Sequence, residues 1–418
     1  MTDVSAPATP PFRLSMLVYD RRYRSMTFQV IVFVLVMAFG WWLVNNTIQN
    51  LQALGKDFNF GFLFQRAGYD LPQTPIPYTS DDTHLRAAII GLMNTVIVSI
   101  LGCIAATIVG VVVGVARLSN NWLFARLMTV YVEIFRNIPL LLWILIIYAL
   151  FTEILPAPSA YRGEDPAWSM VLFDNVALTN RYTSIPALGL TNDPGSLELG
   201  ARVSVSWALI AFMVVLIGGW MVRTALHKRA QQIQDATGQR PTTWWQTLAV
   251  MTVPSLFLIW FFGLHLLPPE LKGFNFSGGM NVDNSFVVLW LALTLYTGAF
   301  IAEIVRAGIL AVSKGQSEAA FALGLRPRRT MNLVILPQAL RVIIPPLISQ
   351  FLNLTKNSSL AIAVGYMDLR GTLGGTTLNQ TGRELEAMVL MMAIYLALSL
   401  IISAGMNVFN SRVKLKER

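Results

Sequence analysis

The chain has 418 residues, of which 55% are hydrophobic and only 13% charged, with a mean hydropathy of +0.57. An ordinary soluble chain is about a quarter charged, so the composition excludes a string of soluble domains and points to a lipid bilayer. The net charge of +9 fits basic loops held on the cytoplasmic side of a membrane, and no nucleic-acid partner is expected.

In chain order, Arg13, Arg21, Arg22 and Arg24 precede an uncharged run from Met26 to Val44. A crossing helix needs about 20 residues, and no small-residue cleavage site follows WWLVNN. The run therefore reads as an uncleaved first span over 26–46 rather than a signal peptide. Further spans are predicted at 87–116, 127–151, 204–223, 246–267, 285–310, 339–365 and 387–409. The expectation is an all-α integral membrane protein of about eight transmembrane helices. With the N-terminus inside, the cytoplasmic segments, counted with Arg223, Arg306 and Arg341 toward the inner ends of their spans, hold 20 Lys and Arg against 5 Asp and Glu, and the outer segments 9 against 15. That asymmetry places both termini in the cytoplasm.

The outer segments 47–86 and 152–203 are long and rich in Pro, Asn, Asp and Gly, and are expected to be ordered where they pack on helices. Inside, 225–245 is polar and helix-like up to Pro241, with Trp244 and Trp245 suited to an interfacial belt. The single cysteine, Cys103, rules out a disulfide framework and a thiolate metal site. His84, His227 and His265 show no ligand spacing. No GxxxxGK[ST] occurs, so the chain cannot cradle ATP phosphates by that route.

The stretch QSEAAFALGLRPRRTMNLVILP (316–337) interrupts the apolar pattern. Ser317 can cap a helix starting at Glu318, whose carboxylate favours the positive end of the helix dipole. Gly324 is a natural left-handed stop, Pro327 suits the first turn of a second helix, and Pro337 marks a further break. Three readings compete: a basic loop that sets topology, a DNA-binding helix-turn-helix, and a docking element for a cytoplasmic partner. Tethering between two spans leaves a recognition helix no room to enter a groove.

The same stretch resembles the EAA loop of ABC-importer permeases. Glu318, Ala319, Ala320, Gly324, Leu336 and Pro337 match in register, and Val334 stands where the pattern has Ile. The stretches 91–143, 302–320 and 352–365 resemble core helices of the polar amino-acid permeases, nearest in type to the general L-amino-acid permeases for glutamate, glutamine, aspartate and asparagine. Trp143 departs from a Gln common in that group. The resemblance implies a type I, MetI-like five-helix core with an extra N-terminal helix and a two-helix insertion. Residues 1–86 would hold the cytoplasmic N-terminus, first span and periplasmic loop, 87–151 core helices one and two, 152–284 the insertion, and 285–418 core helices three to five with the coupling loop 311–338. It also implies a transport subunit without enzymatic activity, in a bacterial cytoplasmic membrane. Two separate ATPase subunits would carry ATP and Mg, beside a second homologous permease, a periplasmic binding protein and an amino-acid substrate. The ATPase would meet Glu318, Ala319, Ala320, Gly324, Arg326, Arg328 and Arg329, the two alanines allowing close approach.

For the pathway, Gln350, Asn353 and Asn357 form one polar stripe at helical spacing, with Lys356 one residue off it. Helix–helix hydrogen bonds and substrate contact both fit. Glu133 with Arg136 and Glu303 with Arg306 form two E-x-x-R pairs, read either as ion pairs holding an inner gate or as ligands for a substrate's ammonium and carboxylate. Thr95, Ser99, Cys103, Ala106, Gly110 and Gly114 share a face of mostly small residues, a close-packing seam. An ATP-independent secondary transporter or channel is the alternative function. It would call for mid-membrane ionisable residues and inverted repeats, neither of which is evident.

Overall fold

The computed structural model describes residues 16–53, 57–163, 166–198 and 204–413. It divides into two units, Met1–Phe62 and Leu63–Arg418. Arg13 and the terminal Lys414, Lys416 and Arg418 lie outside the described residues, as do the side chains of Arg21 and Arg22.

In the first unit a short helix α1 (Met16–Tyr19) precedes α2 (Arg21–Ala53). From Met26 to Val44 its large apolar residues are exposed within the unit, the pattern of a helix with lipid around it. Thr27 and Thr47 return their hydroxyls to the carbonyls of Tyr23 and Leu43, so neither leaves a polar group open to hydrocarbon.

The second unit is a helical bundle built around α8 (Asn284–Leu310). Against it pack α3 (His84–Ala116), α4 (Trp122–Asn137), α5 (Leu140–Glu153) and α11 (Leu336–Asn357). The core joins Val98 and Ala106 of α3, Ile144 of α5, Leu289 and Ile301 of α8, and Leu354 of α11. The small-residue seam forms as expected. A Cβ on Gly110 would lie 2.5 Å from the Cβ of Ile301, and one on Gly114 2.7 Å from the carbonyl of Ala302. Two parallel helices thus touch nearly backbone to backbone, where lipid-embedded helices gain most of their packing.

The third expected span, 127–151, is not one helix. It breaks at Ile138 and Pro139 into α4 and α5, bent by 108°. The proline disfavours a helical conformation in its predecessor, and Ile138 is extended at φ −104, ψ 133. The rings of Phe135 and Trp143 stack across the break at 4.1 Å. Counting the bent pair as one span gives eight candidate crossings among the described residues, and seven without it.

The polar stretch after the fourth span is no separate helix either. It extends α6 (Trp207–Thr237), which turns back through left-handed Gly238 into α7 (Trp244–Phe262). Around the far ends of this hairpin, the segments between spans form short strands. Strands β1 (Ala177–Leu178), β2 (Tyr182–Ile185) and β9 (Met280–Asp283) make an antiparallel sheet. β3 (Ala187–Leu190) pairs with β6 (Leu264–Leu267), β4 (Ser196–Glu198) with β5 (Ser204–Ser206), and β7 (Glu270–Lys272) with β8 (Asn275–Ser277). Asn284 anchors the sheet to α8, donating to the carbonyl of Thr179 at 2.7 Å and accepting from Thr183.

Helices α9 (Lys314–Ala322) and α10 (Pro327–Thr330) follow α8. The expected cap at Ser317 is wrong. The helix begins at Lys314, because Ser313, extended at φ −62, ψ 143, already makes the entry turn one helical turn earlier. Nor does Pro337 break the chain. A π-helical turn, Met331–Ile335, lets α10 run on into α11, with the Leu336 N–H reaching Met331 O. The wider turn absorbs the missing proline N–H and its ring. Pro345 and Pro346 lie inside α11.

Between α11 and α14 (Glu384–Val413) the chain dips back through a 3-10 turn (Ser358–Val364), α12 (Leu369–Gly371), a π turn (Thr372–Thr377) and α13 (Leu378–Thr381). This segment is pinned to the start of α3. Asn94 donates to Met367 O at 2.9 Å, the Leu369 N–H donates to Thr95, and Thr377 bonds both Tyr69 and His84 at 3.1 Å. Gly91 makes room, since a Cβ there would overlap Thr372 at 2.1 Å. At its centre Asp368 is fully buried, accepting from Gly371 N at 2.8 Å and from the Tyr395 hydroxyl at 3.2 Å. Burial pushes its carboxyl up from 3.8 to about 6.

Two expectations follow. Gly110→Ala overpacks the α3–α8 seam and is expected to cost about 1–3 kcal/mol; an unchanged thermal unfolding midpoint in detergent would contradict it. Because the folded chain holds the Asp368 proton more tightly than the unfolded chain, this group favours folding below about pH 4. That contribution is lost as pH rises through about 6. The midpoint of the wild type relative to Asp368→Asn is therefore expected to fall across that window, whereas parallel profiles would mean the carboxyl is ionised throughout.

Candidate functional site

Two constellations gather most of the residues singled out in the sequence. The first surrounds Glu303, on the half of α8 that leads into α9. Gly114 and Ala302 hold α3 against α8, so Arg117, the residue that caps α3, falls beside Glu303, and their side chains meet at 2.5 Å. Arg306, one turn along α8, reaches the other carboxylate oxygen at 2.6 Å. Arg136 of α4 approaches to 4.0 Å and lies over the Phe300 ring, 5.4 Å from its centre. Three guanidinium groups from three helices thus converge on one carboxylate, leaving a net positive cluster. Arg117 is the most enclosed, with 8% of its side chain exposed.

The Glu133–Arg136 pair does not form. Arg136 turns to Glu303, and Glu133 is exposed and bonded to Asn137 at 3.3 Å. The second pair, Glu303–Arg306, does form. Arg117 was not anticipated: it sits at the loop end of its span, 186 positions from its partner, and only its basic character could have drawn notice. The buried cluster of Asp368, Tyr395, His84 and Asn94 was equally unanticipated.

The second constellation is the α9–bend–α10 element. Gly324 adopts φ 75, and the Leu325 N–H closes the turn on Ala320 O at 3.1 Å. Arg326 is extended before Pro327, which sits in the first turn of α10. Glu318, Ala319, Gly324, Arg326, Arg328 and Arg329 are exposed, and none of the charged ones forms an ion pair among the described residues. Phe321 and Leu323 are exposed as well, Leu323 at 82%. Ala320 differs from expectation: it is buried against its own chain, so of the two alanines only Ala319 is open to an approaching surface.

On α11 the polar stripe separates from the core. Leu354 and Thr355 face inward and are buried, whereas Asn353 and Lys356 are exposed and Gln350 and Asn357 half-buried. None of these four polar side chains makes a hydrogen bond or ion pair among the described residues. Thr355 and Ser358, by contrast, return their hydroxyls to Phe351 O and Thr355 O. Hydrogen bonds to neighbouring helices of this chain therefore do not account for the stripe. At the break between α4 and α5, the Trp143 indole nitrogen is buried without a partner.

Residues 242–415 match the family model described as "Binding-protein-dependent transport system inner membrane component". The chain is 58% identical to the glutamate/glutamine/aspartate/asparagine transport system permease protein BztB of Rhodobacter capsulatus, with all of both chains covered. It is 42% identical, again over all of both chains, to the general L-amino acid transport system permease protein AapQ of Rhizobium johnstonii. With a many-helix bundle, an exposed helix–bend–helix element and full-length relatives of this kind, the chain belongs to the amino-acid ABC transport permeases, the inner-membrane components of binding-protein-dependent transport systems.

Proposed function

We propose that this chain is one permease of an ATP-driven importer of polar L-amino acids, of the glutamate, glutamine, aspartate and asparagine class. A periplasmic binding protein delivers the substrate, and two separate ATPase subunits bind ATP and Mg and hydrolyse the ATP. A second homologous permease completes the pore. The observation that carries this reading is the α9–bend–α10 element, whose charged and apolar residues are exposed together and unpaired beside two spans. Glu318, Ala319, Gly324, Arg326, Arg328 and Arg329 form the surface an ATPase grips, and Ala320 holds α9 to the permease. The basic character of the segments on that side supports a cytoplasmic position for this element and both termini.

The domain plan follows from the resemblance: 87–151 and 285–418 form the five-helix core, 1–86 an N-terminal addition, and 152–284 an insertion whose strands help seat the binding protein. The Glu303 cluster acts as an inner gate. It ties the ends of α3 and α8 together with part-buried charge-assisted hydrogen bonds and draws in α4 through the 4.0 Å approach of Arg136, and its excess positive charge suits a passing carboxylate. Gln350, Asn353, Lys356 and Asn357 face the second permease or the wet path between the two, since polar groups in a span avoid hydrocarbon.

Glu318→Lys tests the coupling surface. Charge reversal at an interface costs on the order of 2 kcal/mol, so the copurifying ATPase is expected to be retained roughly 30-fold less well while membrane insertion stays intact. Full retention would refute the assignment. Glu303→Gln leaves Arg117 enclosed without its carboxylate and is expected to destabilise the chain by about 3 kcal/mol. In a reconstituted complex it is also expected to raise ATP hydrolysis in the absence of substrate; a loss of stability with normal coupling would make the cluster a structural tie and not a gate.

A further inference from the structure

We infer that the α6–α7 hairpin carries a binding site for an anionic phospholipid, with the headgroup phosphate at Arg229 and the acyl chains along the apolar wall below it. A groove of about 590 Å³ runs between the two helices. Its walls are graded. Val222, Leu226 and Val250 line one end, and Arg229, Thr243 and Gln246 line the other, beside Ile233.

The gradient coincides with the position of the membrane boundary. At 1.5 Å per residue, α7 with its 19 residues is about 28 Å long, close to the thickness of a hydrocarbon core. α6 has 31 residues and is about 46 Å long, so its last three turns project past the end of α7. Arg229 lies in that projection, and exposed Trp244 and Trp245 mark the boundary at the start of α7, where aromatic residues settle among headgroups. On α7 the apolar wall continues by helical spacing from Ala249 and Val250 to exposed Val253, a side chain suited to acyl contact.

Charge selects the headgroup. Between residues 207 and 262 the chain has Arg223, Lys228, Arg229 and Arg240 against Asp235 as the one acid. None of the four cations forms an ion pair among the described residues. Arg240 immediately precedes Pro241, which lines the groove. A protein helix laid in this groove would meet a polar rim on one side only, whereas a phospholipid has its single charge at one end and its apolar length at the other.

The test is native mass spectrometry of the full-length chain, titrated in detergent with phosphatidylglycerol or with phosphatidylcholine. Phosphatidylglycerol is expected to be retained more tightly. Arg229→Gln is expected to weaken it about five-fold, the effect of one basic side chain at an anionic lipid surface, while leaving phosphatidylcholine unchanged. Lys272→Gln, on β7 away from the hairpin, should change neither, and an unaltered thermal midpoint verifies that Arg229→Gln folds. Equal retention of the two lipids, or superimposed titrations of wild type and Arg229→Gln, would overturn the inference. Displacement of phosphatidylglycerol by excess inorganic phosphate would reassign the groove to a free anion. A dimer that dissociates on Arg229→Gln would reassign it to a second copy of the chain.

Discussion

The close approach of α3 and α8 is the constraint on which the rest of the second unit depends. In a bilayer no hydrophobic gain drives two apolar helices together, so contact rests on dispersion and on backbones that can come near each other. Gly110 and Gly114 supply that nearness on one helix, and Gly298 and Ala302 on the other. The consequence is electrostatic as well as steric. Arg117 lies three residues beyond Gly114, and Glu303 one residue beyond Ala302, so the seam's register fixes where the two charges meet. A larger residue in the seam would therefore disturb the Glu303 cluster without touching any of its members.

The unit's outward surfaces are of two chemical kinds. α14 and the outer side of α3 present apolar residues such as Leu396, Ile401, Ile104 and Ile108, which lipid covers at no cost. One side of α11 presents Asn353 and Lys356, whose exposure to hydrocarbon costs several kcal/mol each by typical transfer values. A span can carry such a side only if water or another protein meets it. The proposed second permease thus answers a physical demand of α11 itself, in addition to fitting the family.

Legibility followed the reach of each signal. Long apolar runs located the spans, because twenty residues of hydropathy average out local noise. Fixed spacing identified the helix–bend–helix from Glu318 to Pro327, where Gly324 and Pro327 each impose one backbone geometry. The break at Ile138–Pro139 carried a readable signal in its proline, outweighed by the apolar residues on both sides. The strands of the insertion were not readable, being two to four residues long and too short for alternation to register. The Asp368 cluster and the Arg117–Glu303 contact depend on residues far apart in sequence, which only the packing of α3 against later segments brings together. Pro337 was read as a stop because proline usually ends a helix, but a π turn offers the chain another way to accommodate it.

That π turn bears on how movement could pass through the chain. From Pro327 to Val364 the backbone is one helical path, leading from the exposed arginines of α10 to the polar stripe of α11 with no flexible loop between. A push on α9 and α10 is therefore delivered to α11 directly, and any bending has to occur where helical hydrogen bonds are weakest. Two places qualify: the π turn at Met331–Ile335, and the carbonyls of Arg341 and Val342, which lose their i+4 donors to Pro345 and Pro346. Both lie between the exposed arginines of α10 and the stripe. On the other side of the same loop α8 is held by Glu303 to Arg117 and Arg136, and so to the ends of α3 and α4. One flank of the loop is thus clamped and the other has points of give, an asymmetry by which a push on the loop would bend α11 against a stationary α8.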